Sequence, residues 1–166
     1  PILLHPKDKK PIGLRLAYLA LKRTYGKDFV EYGPFYKSHR VEGDKIVLTF
    51  DFVGSGLMAS KQRPLNSFAI AGKDGNFVWA QAVIKNDSVV VSAKTISAPV
   101  AVRYAWAMNP SQRILLYNKE GLPASPFRTD DWPLFDADTY VAEDQLKPKA
   151  PADYLPFRLQ RPPMTQ

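Results

Sequence analysis

A chain of 166 residues with 45% apolar and 23% charged residues has the composition of a folded domain, which excludes wholesale disorder. The absence of cysteine excludes disulfides, thiol catalysis and cysteine-ligated metal. A balance of 23 basic against 16 acidic residues gives +7, but Lys and Arg are scattered without a run of five, so nucleic acid ranks last among the partners considered. No apolar run approaches the ~20 residues that cross a bilayer, and Ile2-Leu3-Leu4 is too short for a signal core. The first residue is Pro1 rather than Met, which suggests a processed product or a piece of a longer protein.

In chain order, residues 1–10 read as an extended lead. Pro11 suits the first turn of a helix, which the spacing carries to about Tyr25 and Gly26 stops. Its apolar residues, among them Ile12, Leu14, Leu16, Leu19 and Leu21, lie almost all round, so this helix needs cover on most sides. A short β domain cannot supply that cover alone, and the helix is assigned to another layer. Residues 27–42 carry aromatics without clear periodicity, with a turn at Gly33-Pro34. Lys45–Phe52 alternates cleanly, Ile46, Leu48, Phe50 and Phe52 on one face, and predicts a half-buried antiparallel strand. Gly54 to Pro64 reads as a loop.

The organising stretch is Leu65–Trp106, where apolar runs at Phe68–Ala71, Phe77–Ile84, Val89–Ser92 and Val100–Trp106 are separated by Gly, Asp, Asn and Pro turn signals. This predicts a β-meander, with Phe77–Ile84 as a central strand because both its alternating sets are apolar. Ile114–Tyr117 adds a short strand, and Asn118–Asp130 reads as ordered loop. Beyond residue 130, six of the 15 prolines alternate with Trp132, Phe135, Tyr140, Tyr154 and Phe157, which suits an extended strap pinned by aromatics.

Chemistry-bearing residues are few. His5 and His39 are the only histidines, and neither has acidic neighbours at metal-ligand spacing, so no metal or cofactor is expected. Gly54-Ser55-Gly56 lacks the strand, turn and helix setting of a nucleophile elbow. Asp130-Asp131 reads as a solvated acidic pair. Trp79, Tyr104 and Trp106 are either a sugar-stacking platform or, more commonly at strand spacing, core. His5, in His5-Pro6 just ahead of the helix, has the better claim to catalysis.

Three segments in order resemble one family. HPKDKKPIGLRLA at His5–Ala17 is similar to the His-Pro-x-Asn-Lys…Gly-Glu-Arg-Leu-Ala block that closes the catalytic domain of sialate O-acetylesterases, carbohydrate esterases of the SGNH-hydrolase fold. FAIAGKDGNFVWAQAVI at Phe68–Ile84 resembles their β-rich C-terminal region, and VAVRYAWAMNP with NKEGLPASPFRTD, within Val100–Asp130, their closing signature. The resemblance implies residues 1–26 as the last loop and helix of an SGNH α/β domain, 27–130 as a β-rich C-terminal domain and 131–166 as a Pro-rich tail. The fold class is then mainly β, an antiparallel sandwich-like domain preceded by one buried helix. The resemblance also implies hydrolysis of O-acetyl esters on sialic acid or related sugars, an extracytoplasmic setting, and His5 as the general base of a Ser-His-Asp site.

The nucleophilic serine and oxyanion loops of that family lie upstream, so an upstream catalytic segment or chain and an acetylated saccharide are the implied partners. This chain alone is expected to be inactive. Leu3 and Leu4 stand where the family has an acidic residue before the histidine, and Leu14 where it tends to have Glu. The alternative reading is a non-catalytic carbohydrate-binding or assembly β-domain.

Overall fold

A computed structural model describes residues 8–60, 65–107 and 115–133. Helix α1 spans Lys10–Arg23, with Pro11 in its first turn and Lys22 and Arg23 in its last, where cations complement the helix dipole. Gly26, at φ +61°, follows it in the left-handed conformation that glycine adopts at no steric cost. Among the described residues there are ten strands: β1 Phe35–Glu42, β2 Lys45–Asp51, β3 Leu57–Ala59, β4 Phe68–Ala71, β5 Phe77–Trp79, β6 Gln81–Lys85, β7 Ser88–Ser92, β8 Ala101–Tyr104, β9 Leu116–Asn118 and β10 Phe127–Arg128.

Two four-stranded antiparallel sheets, ordered β1-β2-β7-β6 and β10-β8-β4-β5, carry the fold, with β3 and β9 as a separate pair. Their facing sides share one apolar core. Ile46, Leu48 and Phe50 of β2 and Val89 and Val91 of β7 meet Phe68 and Ile70 of β4 and Val102 and Tyr104 of β8, with Leu116 and Phe127 closing it. Each fully buried Ile, Leu or Phe contributes roughly 1.5–3 kcal/mol of transfer free energy, so this cluster is the main source of stability. The mainly-β, antiparallel architecture with one leading helix is as the residues imply.

The connectivity differs from a meander. Phe77–Ile84 is two strands: Ala80 still donates its N–H to the Phe68 carbonyl at 3.0 Å, and the chain then leaves one sheet for the edge of the other. It is a sandwich corner, where a strand changes sheets through a bend. Apolar residues on both alternating sets arise because Phe77 and Val78 face opposite sides, and Trp79 and Val83 stay 57% and 55% exposed at the edges. β8 ends two residues before Trp106, since Ala105 turns to φ +47° and gives its N–H to Ser67. In the same way Phe52, at φ +58° and 50% exposed, leaves the face of Ile46, Leu48 and Phe50.

Three strands were not legible. β1 pairs with β2 but alternates poorly, because a register shift between Tyr36 and Ser38 breaks its period. β3 and β10 are only three and two residues long, too short for periodicity to register. Of the expected strand Ile114–Tyr117, Ile114 lies outside the described residues, and Leu116 and Tyr117 fall in β9.

α1 buries none of its residues among the described ones, and Ile12, Leu14 and Leu16 are 45%, 42% and 62% exposed. The expected burial is therefore not supplied by these strands, as the all-round apolar pattern required. One side of the helix rests on the following segment, with Tyr18 stacked on Phe29 at 5.6 Å between ring centroids.

Asn118 joins the layers. Fully buried, it donates from Nδ2 to the Tyr32 carbonyl at 3.0 Å and accepts the Leu122 N–H at Oδ1 at 2.9 Å. Asn118→Ala removes the side-chain partner of both groups, so it is expected to lower stability by about 1–3 kcal/mol, read from urea denaturation midpoints. A change under a few tenths of that range would mean water replaces the amide.

Candidate functional site

Helix α1 meets the β domain over the connection after β9. Gly33 packs against the Pro123 carbonyl so closely that a Cβ there would overlap it, and Ser125 donates its N–H to the Pro34 carbonyl at 3.2 Å. These contacts bring the segment after the helix onto the 118–125 connection, and clefts open on both sides of α1. In one, of about 360 Å³, Asp8, Lys10, Arg15 and Tyr18 face Tyr117 and Glu120. In the other, also about 360 Å³, Leu16 and Leu19 face Tyr32, Phe35 and Pro123. Asp8, which follows His5 by three residues, accepts the Lys10 N–H at 3.0 Å at the rim of the first cleft. His5 itself lies outside the described residues, as do Leu3, Leu4, Phe135, Tyr140, Tyr154 and Phe157.

Glu120 is held rather than free. Its Oε1 accepts the Ser55 backbone N–H at 2.9 Å and the Ser55 hydroxyl at 2.6 Å. The hydroxyl hydrogen bond is the main reason its carboxyl sits below the ordinary glutamate value. Ser55 thus spends its proton on a carboxylate and ties the 53–56 turn to the 118–121 turn. His39 sits on β1 with Nδ1 2.7 Å from the Tyr36 hydroxyl, a packing arrangement within the strand. Among the described residues no group of three or more histidines and carboxylates converges to hold a metal.

The structure separates the three aromatics. Tyr104 is core, 1% exposed, with its oxygen accepting the Leu116 N–H at 2.9 Å, and burial pushes its hydroxyl up to about 12. Trp106 lies against Arg128, whose guanidinium is 5.7 Å from the ring centroid. Trp79 is exposed at the edge of β5.

Asp130 corrects the reading of a solvated pair. Its side chain is 1% exposed, and its two oxygens take Arg103 Nε at 2.9 Å and Nη2 at 2.7 Å, with Arg128 Nη1 at 3.5 Å. Burial acts to raise this carboxyl, but hydrogen bonds and charge from Arg103, then Arg128, outweigh it and hold it below the usual aspartate range. The Arg103 guanidinium also lies 4.2 Å from the Phe77 ring centroid, and Phe77 meets Trp132 edge to face at 5.7 Å. Trp132 is therefore one aromatic of the C-terminal stretch that does pin the chain, on the outer face of the β4-β8 sheet. Alternation along β8 placed Arg103 opposite Tyr104. Nothing local to the sequence said that Asp130 would return to meet it.

The fold defined by these contacts is a two-sheet antiparallel β domain led by a helix with uncovered apolar sides. In sequence and fold the chain is similar to a carbohydrate acetylesterase from Xanthomonas citri, at 42% identity and a TM-score of 0.75. The match covers 80% of this chain but 30% of that one, so this chain corresponds to less than a third of that enzyme's length. The likeness is thus to part of a carbohydrate esterase. No family model and no curated protein matches the chain.

Proposed function

We propose that this chain is the C-terminal portion of a carbohydrate O-acetylesterase of the sialate type, active only with an upstream α/β segment that carries the serine nucleophile. The observation that carries the reading is 42% identity, over four fifths of this chain, to part of a carbohydrate acetylesterase. The uncovered apolar residues of α1 support it physically, because a patch of that kind asks for a packing partner.

In the proposed reaction His5 takes the proton as the partner's serine oxygen bonds to the acetyl carbon. It returns that proton to the sugar oxygen as the ester C–O bond breaks. Water then attacks the acetyl-enzyme with the same histidine as base, and the histidine returns that proton to the serine oxygen as its bond to the acetyl carbon breaks, releasing acetate. An extracytoplasmic setting belongs to the same proposal.

The test is a chimera in which this chain replaces the segment it aligns with in the Xanthomonas citri acetylesterase. Acetate release from an acetylated sugar by the chimera, with none from the chain alone, is the expected result. A folded chimera that releases no acetate while its parent does would overturn the proposal. A non-catalytic carbohydrate-binding module is the second reading, and the exposure of Trp79 favours it. It requires saccharide binding that Trp79→Ala abolishes without unfolding, in a protein whose chimera is inert.

A further inference from the structure

The outer face of the β1-β2-β7-β6 sheet carries a cleft of about 330 Å³ that the esterase reading does not use. The register builds it. Arg40 pairs with Val47, Val47 with Val90 and Val90 with Val83, so one apolar row crosses the sheet beneath Arg40. Val47 and Val90 form the floor, and Val47 is only 4% exposed although it points away from the shared core. Arg40, Lys45 and Lys85 stand round it, with the Ser88 hydroxyl and the Asn86 amide at one end.

Charge decides what fits. Arg40 uses Nε on Glu42 at 2.6 Å, the one carboxylate among the lining residues, while Lys45 and Lys85 have no ion-pair partner among the described residues. Three cations against one carboxylate leave the cleft positive. Its size suits one or two sugar rings and falls at the small end of ligand sites. A nucleic acid strand requires a longer cationic track and aromatic faces for stacking, and no aromatic lines this cleft. A flat aliphatic floor for the C–H face of a sugar, hydroxyl and amide groups for its hydroxyls, and ammonium groups for a carboxylate describe one ligand class.

We propose that this cleft is a second, non-catalytic subsite that holds a carboxylate-bearing saccharide, through Lys45 and Lys85 over the Val47–Val90 floor. The site deepens the esterase reading by naming an acidic glycan as the polymer the enzyme works along. It is tested by binding alone, so its failure and a failure of acetate release are distinguishable.

The experiment titrates the full chain with tetragalacturonate, followed by calorimetry and by amide shifts in labelled protein. Arms with neutral cellotetraose, inorganic phosphate and a single-stranded oligonucleotide run beside it. Tetragalacturonate is expected to bind and to shift Val47, Ser88 and Val90, with cellotetraose silent. Lys45→Gln/Lys85→Gln, both exposed positions, is expected to weaken binding about tenfold or more, since the variant removes both ammonium groups that would meet the carboxylates. Equal binding of cellotetraose, shifts confined to other faces, or an unchanged double variant would overturn the proposal. Phosphate competing as well as the saccharide, or the oligonucleotide binding more tightly, would overturn the saccharide assignment in favour of a general anion site.

Discussion

Replacing Arg103 with alanine is expected to remove about 3–5 kcal/mol of stability at neutral pH, the range for breaking a buried ion pair from one side. Asp130, whose side chain is 1% exposed in the intact protein, then keeps the longer Arg128 contact at 3.5 Å as its ion pair. That is a large share of the roughly 5–15 kcal/mol that folds a typical domain. The loss includes the face of Phe77 under the guanidinium and, through Phe77, the seat of Trp132. Arg103→Lys keeps the charge but not the two-pronged geometry, so it should fall between wild type and alanine.

The pH dependence separates this account from simple loss of packing. In wild type the Asp130 carboxyl lies below its unfolded value of about 3.9, so its contribution is complete above that value. It is lost as pH falls through the lower folded value. In Arg103→Ala burial has less to oppose it, and the carboxyl prefers its proton. The deficit of the variant should therefore be greatest near pH 7 and shrink in acid. Urea denaturation at about pH 7 and about pH 3 measures both, and a deficit that does not change between them would refute the ion-pair explanation.

His5→Ala, in the chimera that restores an upstream catalytic segment, is expected to lower kcat by about 10²- to 10⁴-fold, the usual contribution of a positioned general base. KM and the thermal midpoint should stay near those of the unsubstituted chimera, since the substitution removes a proton carrier and not a binding surface. Added imidazole should restore part of the rate if the missing function is proton transfer. A His5→Ala chimera working at full rate would remove His5 from the mechanism, whatever the fate of the esterase reading as a whole.

The parts of this fold legible in the residues are those in which local periodicity and burial agree. Ile46, Leu48 and Phe50 alternate in the sequence and are buried together, and Phe68–Ala71 begins and ends as its flanking turn signals require. The proposed chemistry rests on resemblance, because a single histidine ahead of a helix has no spacing that distinguishes a base from a packing residue. Two findings ran against local reading. Phe77–Ile84 has the composition of a doubly covered strand but is two edge strands, since a corner satisfies the same pattern by turning. Asp130-Asp131 has the composition of a wet loop, yet one of the two carboxylates is buried against arginines, one 27 residues upstream.

By itself the sequence determined the class, a mainly antiparallel β domain behind one helix, because alternation, turn residues and a proline-to-glycine frame act within a few residues of each other. It also determined that α1 would lack cover among these strands, since apolar residues all round a helix exceed what one layer buries. Only the tertiary structure decided which sheet each strand joins, that Asn118 and Asp130 are interior groups, and that Lys45 and Lys85 share a cleft. Those outcomes depend on contacts between residues distant in the chain, and no local preference encodes them.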